Sequence, residues 1–265
     1  MRPRIHDAFV EVPGGKIFTR LWRVQNAQHP PLILLHDSLG CVDLWRDFPL
    51  ELAMACRCDV LAYDRLGFGR SSLRSEAPSL EFIHEEAATC FPALQQALGI
   101  ERFSLFGHSV GGGMALMIAA LHPQACAAVI TESAQAFVEE RTVSGIRAAM
   151  QHFAQSEQFA KLERLHGEKA AWVFSAWTDI WLSPDFAGWN LDPYLGSITC
   201  PVLVIHGDED EYGSLAFPRR IAAQVSGDAE QLILLGCGHI PHREQKAQVL
   251  AACRTFLHRT ACLCT

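Results

Sequence analysis

Six short, almost wholly apolar runs recur along the chain, at Leu32–Leu35, Val60–Tyr63, Phe103–Phe106, Ala127–Thr131, Val202–Ile205 and Leu232–Leu235. Runs of this length without polar alternation read as strands buried on both faces, the condition of a parallel sheet. Helical patterns lie between most of them, near Asp43–Ala55, Leu80–Leu98, Val110–Leu121, Leu215–Val225 and Glu244–His258, and Pro92 predicts a kink in the second. Strand and helix in alternation imply an α/β chain: a doubly wound, mostly parallel sheet flanked by helices and joined by right-handed crossovers. Ahead of these runs, Ala8–Val12 and Lys16–Val24 flank Pro13-Gly14-Gly15, a hairpin signal.

The chemistry concentrates where strands end. Gly107-His108-Ser109-Val110-Gly111 is a G-x-S-x-G pentapeptide between a predicted strand and a predicted helix. A serine on such a turn projects its hydroxyl out of the backbone, and the helix that follows aims its first N–H groups at a developing oxyanion. Further on, the run at Val202–Ile205 leads into Gly207-Asp208-Glu209-Asp210, and the run at Leu232–Leu235 leads into Gly236-Cys237-Gly238-His239. Serine, acid and histidine thus follow one another at the same edge of the sheet, where parallel sheets place their sites.

These motifs resemble the α/β-hydrolase superfamily. Leu32-Ile33-Leu34-Leu35-His36-Asp37-Ser38-Leu39-Gly40 is similar to its strand and oxyanion loop, and Tyr63-Asp64-Arg65-Leu66-Gly67-Phe68-Gly69-Arg70-Ser71 to its D-x-x-G-x-G-x-S turn. The resemblance implies Ser109 as nucleophile, His239 as base, and the backbone N–H groups of Ser38 and Val110 as the oxyanion hole. The family's spacing, Gly207 followed by two residues and an aspartate, selects Asp210 as the acid, with Asp208 as the alternative. Glu209 and Glu211 read as solvated or bound to polar neighbours, and His242 as a competitor for the base that reads more simply as a histidine behind the site or on the surface. Asp64 and Arg65 read as stabilising their turn. Asp37 departs from the family, which places glycine there. It either caps the loop, the reading local backbone chemistry favours, or takes part in substrate recognition or proton handling.

Residues from about Ala134 to Tyr194 carry helical periodicity without a strand and hold Trp172, Trp177, Trp181 and Trp189. The resemblance places a helical cap here, inserted between core segments 1–133 and 195–265. Each tryptophan by itself reads as packing between cap and core, but as a group they imply that at least one faces the pocket. His36, Asp37, His108, Trp177 and Trp181 are the pocket candidates, although His36 and His108 also read as satisfied by backbone hydrogen bonds.

The expected chemistry is hydrolysis of a carboxylic ester of a small or medium, partly apolar substrate through an acyl-enzyme on Ser109. An enol-lactonase or a carbon–carbon bond hydrolase of aromatic-ring cleavage products fits the same layout. A homologue that binds a small molecule without turnover is the reading from another class. A net charge of -7 argues against nucleic acid or an anionic membrane surface as partner, and 49% hydrophobic residues argue against disorder. A small-molecule substrate, no cofactor and no metal are expected, because the twelve histidines lack ligand spacing and the ten cysteines lack C-x-x-C pairs. Most cysteines read as small buried hydrophobes of a reducing compartment, while Cys262 and Cys264 are placed in a tail open to oxidation. The charged start, Met1-Arg2-Pro3-Arg4-Ile5-His6-Asp7, precedes no apolar segment, so a cytoplasmic protein without a signal peptide is expected.

Overall fold

The computed structural model describes residues 2–74 and 76–262. Eight strands form one sheet: β1 (Arg4–Val12), β2 (Gly15–Arg23), β3 (Leu32–Leu35), β4 (Val60–Tyr63), β5 (Phe103–His108), β6 (Cys126–Glu132), β7 (Val202–Gly207) and β8 (Ala229–Leu234). Their spatial order is β1-β2-β4-β3-β5-β6-β7-β8, antiparallel as far as the β2–β4 pair and parallel from there on. The hairpin turns at Pro13-Gly14, where Gly14 takes φ 93 and proline precedes it, as the second central position of such a turn requires.

Within each apolar run, alternate residues serve opposite faces. Ile33 and Leu35 pack with α4 (Val110–Leu121), whereas Leu32 and Leu34 pack with α1 (Phe48–Cys56) and α11 (Lys246–Cys262). The period of two is present but hidden in sequence, because both faces are dry. Truncating Leu34 to alanine would cost about 2–5 kcal/mol through lost burial and the void left behind.

Two predicted helices are broken where proline restarts them. The pattern at Asp43–Ala55 divides into a 3₁₀ turn at Val42–Trp45 and α1, separated by Arg46 at φ 55, with Pro49 in the first turn of α1. The pattern at Leu80–Leu98 becomes α2 (Phe82–Glu85), a π turn at Glu86–Cys90, and α3 (Phe91–Ala97), which Pro92 opens. A missing N–H and a clashing ring forbid an uninterrupted helix there. The last strand begins earlier than its apolar run and ends at Leu234, leaving Leu235 78% exposed. It is an edge strand, half solvated, and its wet half, Ala229 to Gln231, carries no apolar run to mark it in sequence.

Between β6 and β7 the chain forms α5 (Glu140–Phe153), α6 (Ser156–His166), a 3₁₀ turn, α7 (Ala170–Trp181) and α8 (Asp192–Leu195). A two-residue bridge, Phe137 with Asn190, and the Leu191 N–H on the Ala136 carbonyl at 2.8 Å close the neck of this segment. His166 ties its far end to the core: its Nδ1 accepts from the Gly69 N–H at 2.9 Å and its Nε2 donates to the Leu39 carbonyl at 3.0 Å. Lys169 donates to the carbonyls of Phe68 and Ser71. The remaining short helices are α9 (Ala216–Gln224) and α10 (Pro241–Glu244). The cysteines at 41, 56, 58, 90, 126, 200, 237 and 253 are free thiols, and all but Cys90 are buried. Cys264 and the side chain of Cys262 lie outside the described residues. No helix among the described residues is long and apolar enough to cross a membrane.

Candidate active site

Ser109 stands between β5 and α4 at φ 57 and ψ -125, a conformation that costs a non-glycine residue free energy and persists only where its surroundings enforce it. The enforcement is visible in the flanking glycines. A β-carbon at Gly107 would strike the carbonyl of Gly111, and one at Gly111 would strike the carbonyl of Leu35. Strand and helix approach too closely for any side chain, which is what the pentapeptide encodes. The Ser109 N–H is held by the Glu132 carbonyl at 2.9 Å, and its hydroxyl donates to Gln135 Oε1 at 3.3 Å. The Val110 N–H lies in the first turn of α4, where N–H groups have no partner within the helix.

Asp210 follows β7 and His239 follows β8, so parallel neighbours bring them together across 29 residues. Nδ1 of His239 sits 2.9 Å from each Asp210 oxygen, and Oδ1 also accepts the N–H groups of Tyr212 at 2.8 Å and Gly213 at 3.1 Å. Burial opposes ionisation of Asp210, but its contact with His239 outweighs that penalty and holds the carboxyl below its ordinary range. With Nδ1 facing a carboxylate, Nε2 of His239 is left as the acceptor. Asp208 instead receives the Gly236 N–H at 2.7 Å, bracing a turn.

A cavity of about 290 Å³ opens over Ser109 and His239. Its walls include Asp37, Ser38, Gln135, Phe153, Leu162 and Trp177, so α5, α6 and α7 of the segment between β6 and β7 face the sheet edge. A smaller cavity of about 30 Å³ adjoins it behind Ser38 and Val110, lined by Arg65, Arg74 and Trp181 among others. Two of the expected pocket residues are elsewhere. His36 is 2% exposed behind the loop after β3, where Nδ1 donates to the Asp37 carbonyl at 2.8 Å and Nε2 accepts the Arg65 N–H at 3.2 Å. Burial keeps this imidazole well below its usual pKa, as those partners require. Trp181 lies one helical turn beyond Trp177 on the same face of α7, so it packs against Phe186 and Trp189 and reaches the smaller adjoining cavity, not the main one. Trp172 donates to the Glu76 carbonyl and packs edge-on against Phe68, leaving Trp177 as the tryptophan of the main wall.

Asp64 braces its turn, accepting from Val42 N–H at 2.6 Å and Arg70 N–H at 2.7 Å, and burial pushes its carboxyl up to about 6. Asp37 caps the loop after β3 through the Leu39 N–H at 2.9 Å and also borders the cavity. Its second oxygen lies 3.3 Å from His108 Nδ1. Behind it is a group that sequence reasoning missed: Glu132, at the end of β6, accepts from His242 Nδ1 at 2.6 Å. Donor atoms of His108, Glu132 and His242 lie within 4.8 Å of one another, a set that could hold a divalent ion. Both ring nitrogens of His108 already face protein oxygens, so ligation would displace one of those contacts. Gln135 and Glu132 were also findable in principle, since both sit at or just past the C-terminal end of a parallel strand.

Residues 30–188 match the family profile for the alpha/beta hydrolase fold. The chain belongs to the α/β-hydrolase fold family. It is 32% identical over 111 residues to human 1-acylglycerol-3-phosphate O-acyltransferase ABHD5, an alignment spanning 42% of this chain and 31% of that one. It is 29% identical over 258 residues to 2-hydroxymuconate semialdehyde hydrolase of Pseudomonas sp. (strain CF600), with 86% of each chain covered. Among solved structures, the enol-lactonase of Burkholderia xenovorans LB400 superposes with a TM-score of 0.73 at 19% identity, covering 95% of this chain and 100% of that one.

Proposed function

We propose that the chain is a serine hydrolase that cleaves carboxylic esters of small or medium, partly apolar substrates. The observation that carries this reading is a serine in a strained elbow sharing one cavity with a histidine whose Nδ1 is held by a buried aspartate. In the reaction the Ser109 hydroxyl turns from Gln135 toward His239 Nε2, surrenders its proton there, and attacks the substrate carbonyl carbon. Asp210 keeps the imidazole in the productive tautomer and stabilises its protonated form. The N–H groups of Ser38 and Val110 receive the oxyanion, each donor worth about 10²–10³-fold in rate. His239 then protonates the leaving alcohol and activates water to release the acid. The helices between β6 and β7 act as a cap that shields this chemistry from solvent.

The test is labelling by a fluorophosphonate, with the parent and Ser109→Ala side by side. Labelling of the parent alone is expected. Equal labelling, or ester turnover that survives Ser109→Ala, would overturn the assignment. The long alignment with a semialdehyde hydrolase favours carbon–carbon bond hydrolysis as a second reading. Turnover of a vinylogous diketone at least tenfold above that of p-nitrophenyl esters would establish it.

A further inference from the structure

Asp37 stands where the family places glycine, and its carboxylate borders the cavity one residue from Ser38. An uncompensated anion at that position would oppose the charge that grows on the substrate oxygen during acyl transfer. The counter-charge lies directly behind it. His108 is 1% exposed, with Nδ1 3.3 Å from Asp37 Oδ2 and Nε2 2.8 Å from the backbone carbonyl of His239. A neutral imidazole has one N–H, so it would set a lone pair against one of these two oxygens. The imidazolium donates to the His239 carbonyl and sets its second N–H and its charge toward the carboxylate 3.3 Å away.

We propose that His108 is a buried imidazolium that neutralises Asp37 and ties the oxyanion loop to the loop bearing His239, making the two residues a coupled positioning pair. The proposal rests on the acyl-transfer reading of Ser109 for its catalytic consequence, though not for the charge state of His108. Other groups face the same ring. Glu132 approaches from β6, His242 from α10 and the ring of His239 at 5.1 Å, while Trp45 packs edge-on and Arg243 lines the small void alongside. Burial penalises the cation, yet Asp37 and Glu132 outweigh that penalty and push its pKa up to about 9. The same partnership, against burial, holds Asp37 below the ordinary carboxylate range. Asp37 is therefore an anion at neutral pH whose field is met by a fixed cation, and the departure from glycine needs no loss of oxyanion stabilisation.

The experiment is a double-mutant cycle on p-nitrophenyl butyrate hydrolysis with Asp37→Asn, His108→Gln and the pair. His108→Gln leaves Asp37 uncompensated, so kcat should fall about 10- to 100-fold with KM moved less than about threefold. Adding Asp37→Asn should recover most of that loss, bringing the double variant within about threefold of Asp37→Asn alone. In the parent, kcat should decline as pH rises through about 9, where His108 loses its proton, and the double variant should lack that limb. Losses that simply multiply, with the alkaline limb retained, would overturn the proposal and leave His108 as a packing residue. Nitrogen chemical shifts of the His108 ring give a readout independent of turnover. An imidazolium at pH 7, with a midpoint lowered in Asp37→Asn, supports the pair even in a protein that fails to label with fluorophosphonate. A neutral ring at pH 7 overturns it whatever the enzyme does.

Discussion

Among the described residues, two histidines set Nδ1 against a fully buried carboxylate at a strand end, and of these two pairs one faces the cavity. Asp210 and His239 follow β7 and β8; Glu132 and His242 join the end of β6 to α10. In both, a histidine Nδ1 meets a buried carboxylate, and in both the carboxyl is held below its ordinary range because the histidine outweighs the penalty of burial. The second contact is the shorter, 2.6 Å against 2.9 Å. Yet His242 is sealed beneath the rings of Trp45 and Phe48, at 4.9 and 5.1 Å, while His239 borders the cavity beside Ser109. The pairing chemistry is the same. Access to the cavity and to Ser109 is what separates the two pairs.

The largest effect that could break this comparison lies at the open pair. His239→Gln should lower kcat by about 10⁴-fold or more, and Asp210→Asn by about 10³–10⁴-fold, because the histidine loses its tautomer. Asp208→Asn should change turnover less than about threefold, since that carboxylate braces a turn. A reversal of the two aspartates would move the acid role to Asp208. At the closed pair the readout should be stability: Glu132→Gln strands His242 in a dry site and should cost about 3 kcal/mol in urea unfolding. A tenfold fall in kcat with unchanged stability would mean that this pair acts in catalysis.

Acid titration treats both pairs alike. Folded-state pKa values of Asp210 and Glu132 are depressed, so their stabilisation is present above about pH 4–5, where the unfolded groups ionise, and is lost as pH falls through the folded values. Parent stability should therefore drop steeply on the acid side, and Glu132→Gln should flatten that slope in urea midpoints measured from pH 7 to 3. The smallest contrast is between tryptophans. Trp177→Phe should raise KM for aromatic esters a few-fold, whereas Trp181→Phe should leave KM alone and lower the unfolding midpoint, because one lines the cavity and the other fills the core.

The part of this site that was legible in sequence is the part written in local backbone demands. Gly107 and Gly111 mark a close approach that no side chain survives, and the apolar runs preceding Ser109, Asp210 and His239 put all three at one sheet edge. Glu132 and His242 stand 110 residues apart, and nothing local marks either as the other's partner. Phe153 and Leu162 line the cavity from amphipathic helices whose pattern shows which face is apolar but not what that face covers. His36 flanks the loop in sequence but points behind it, to the Asp37 carbonyl and the Arg65 N–H, and Trp181, four residues past Trp177 on the same helix face, reaches the smaller cavity and not the main one.

The sequence by itself determined the alternating strands and helices, the strained turn under Ser109 and the order of the chemical groups. These follow from steric and hydrophobic rules that act over a few residues. Tertiary structure alone decided which acid meets which histidine, which tryptophan lines the main cavity, and which side chain stands behind Asp37. Those outcomes depend on hydrogen-bond geometry and burial between segments distant in the chain, where a shift of a few ångströms turns a charge from opposed to paired.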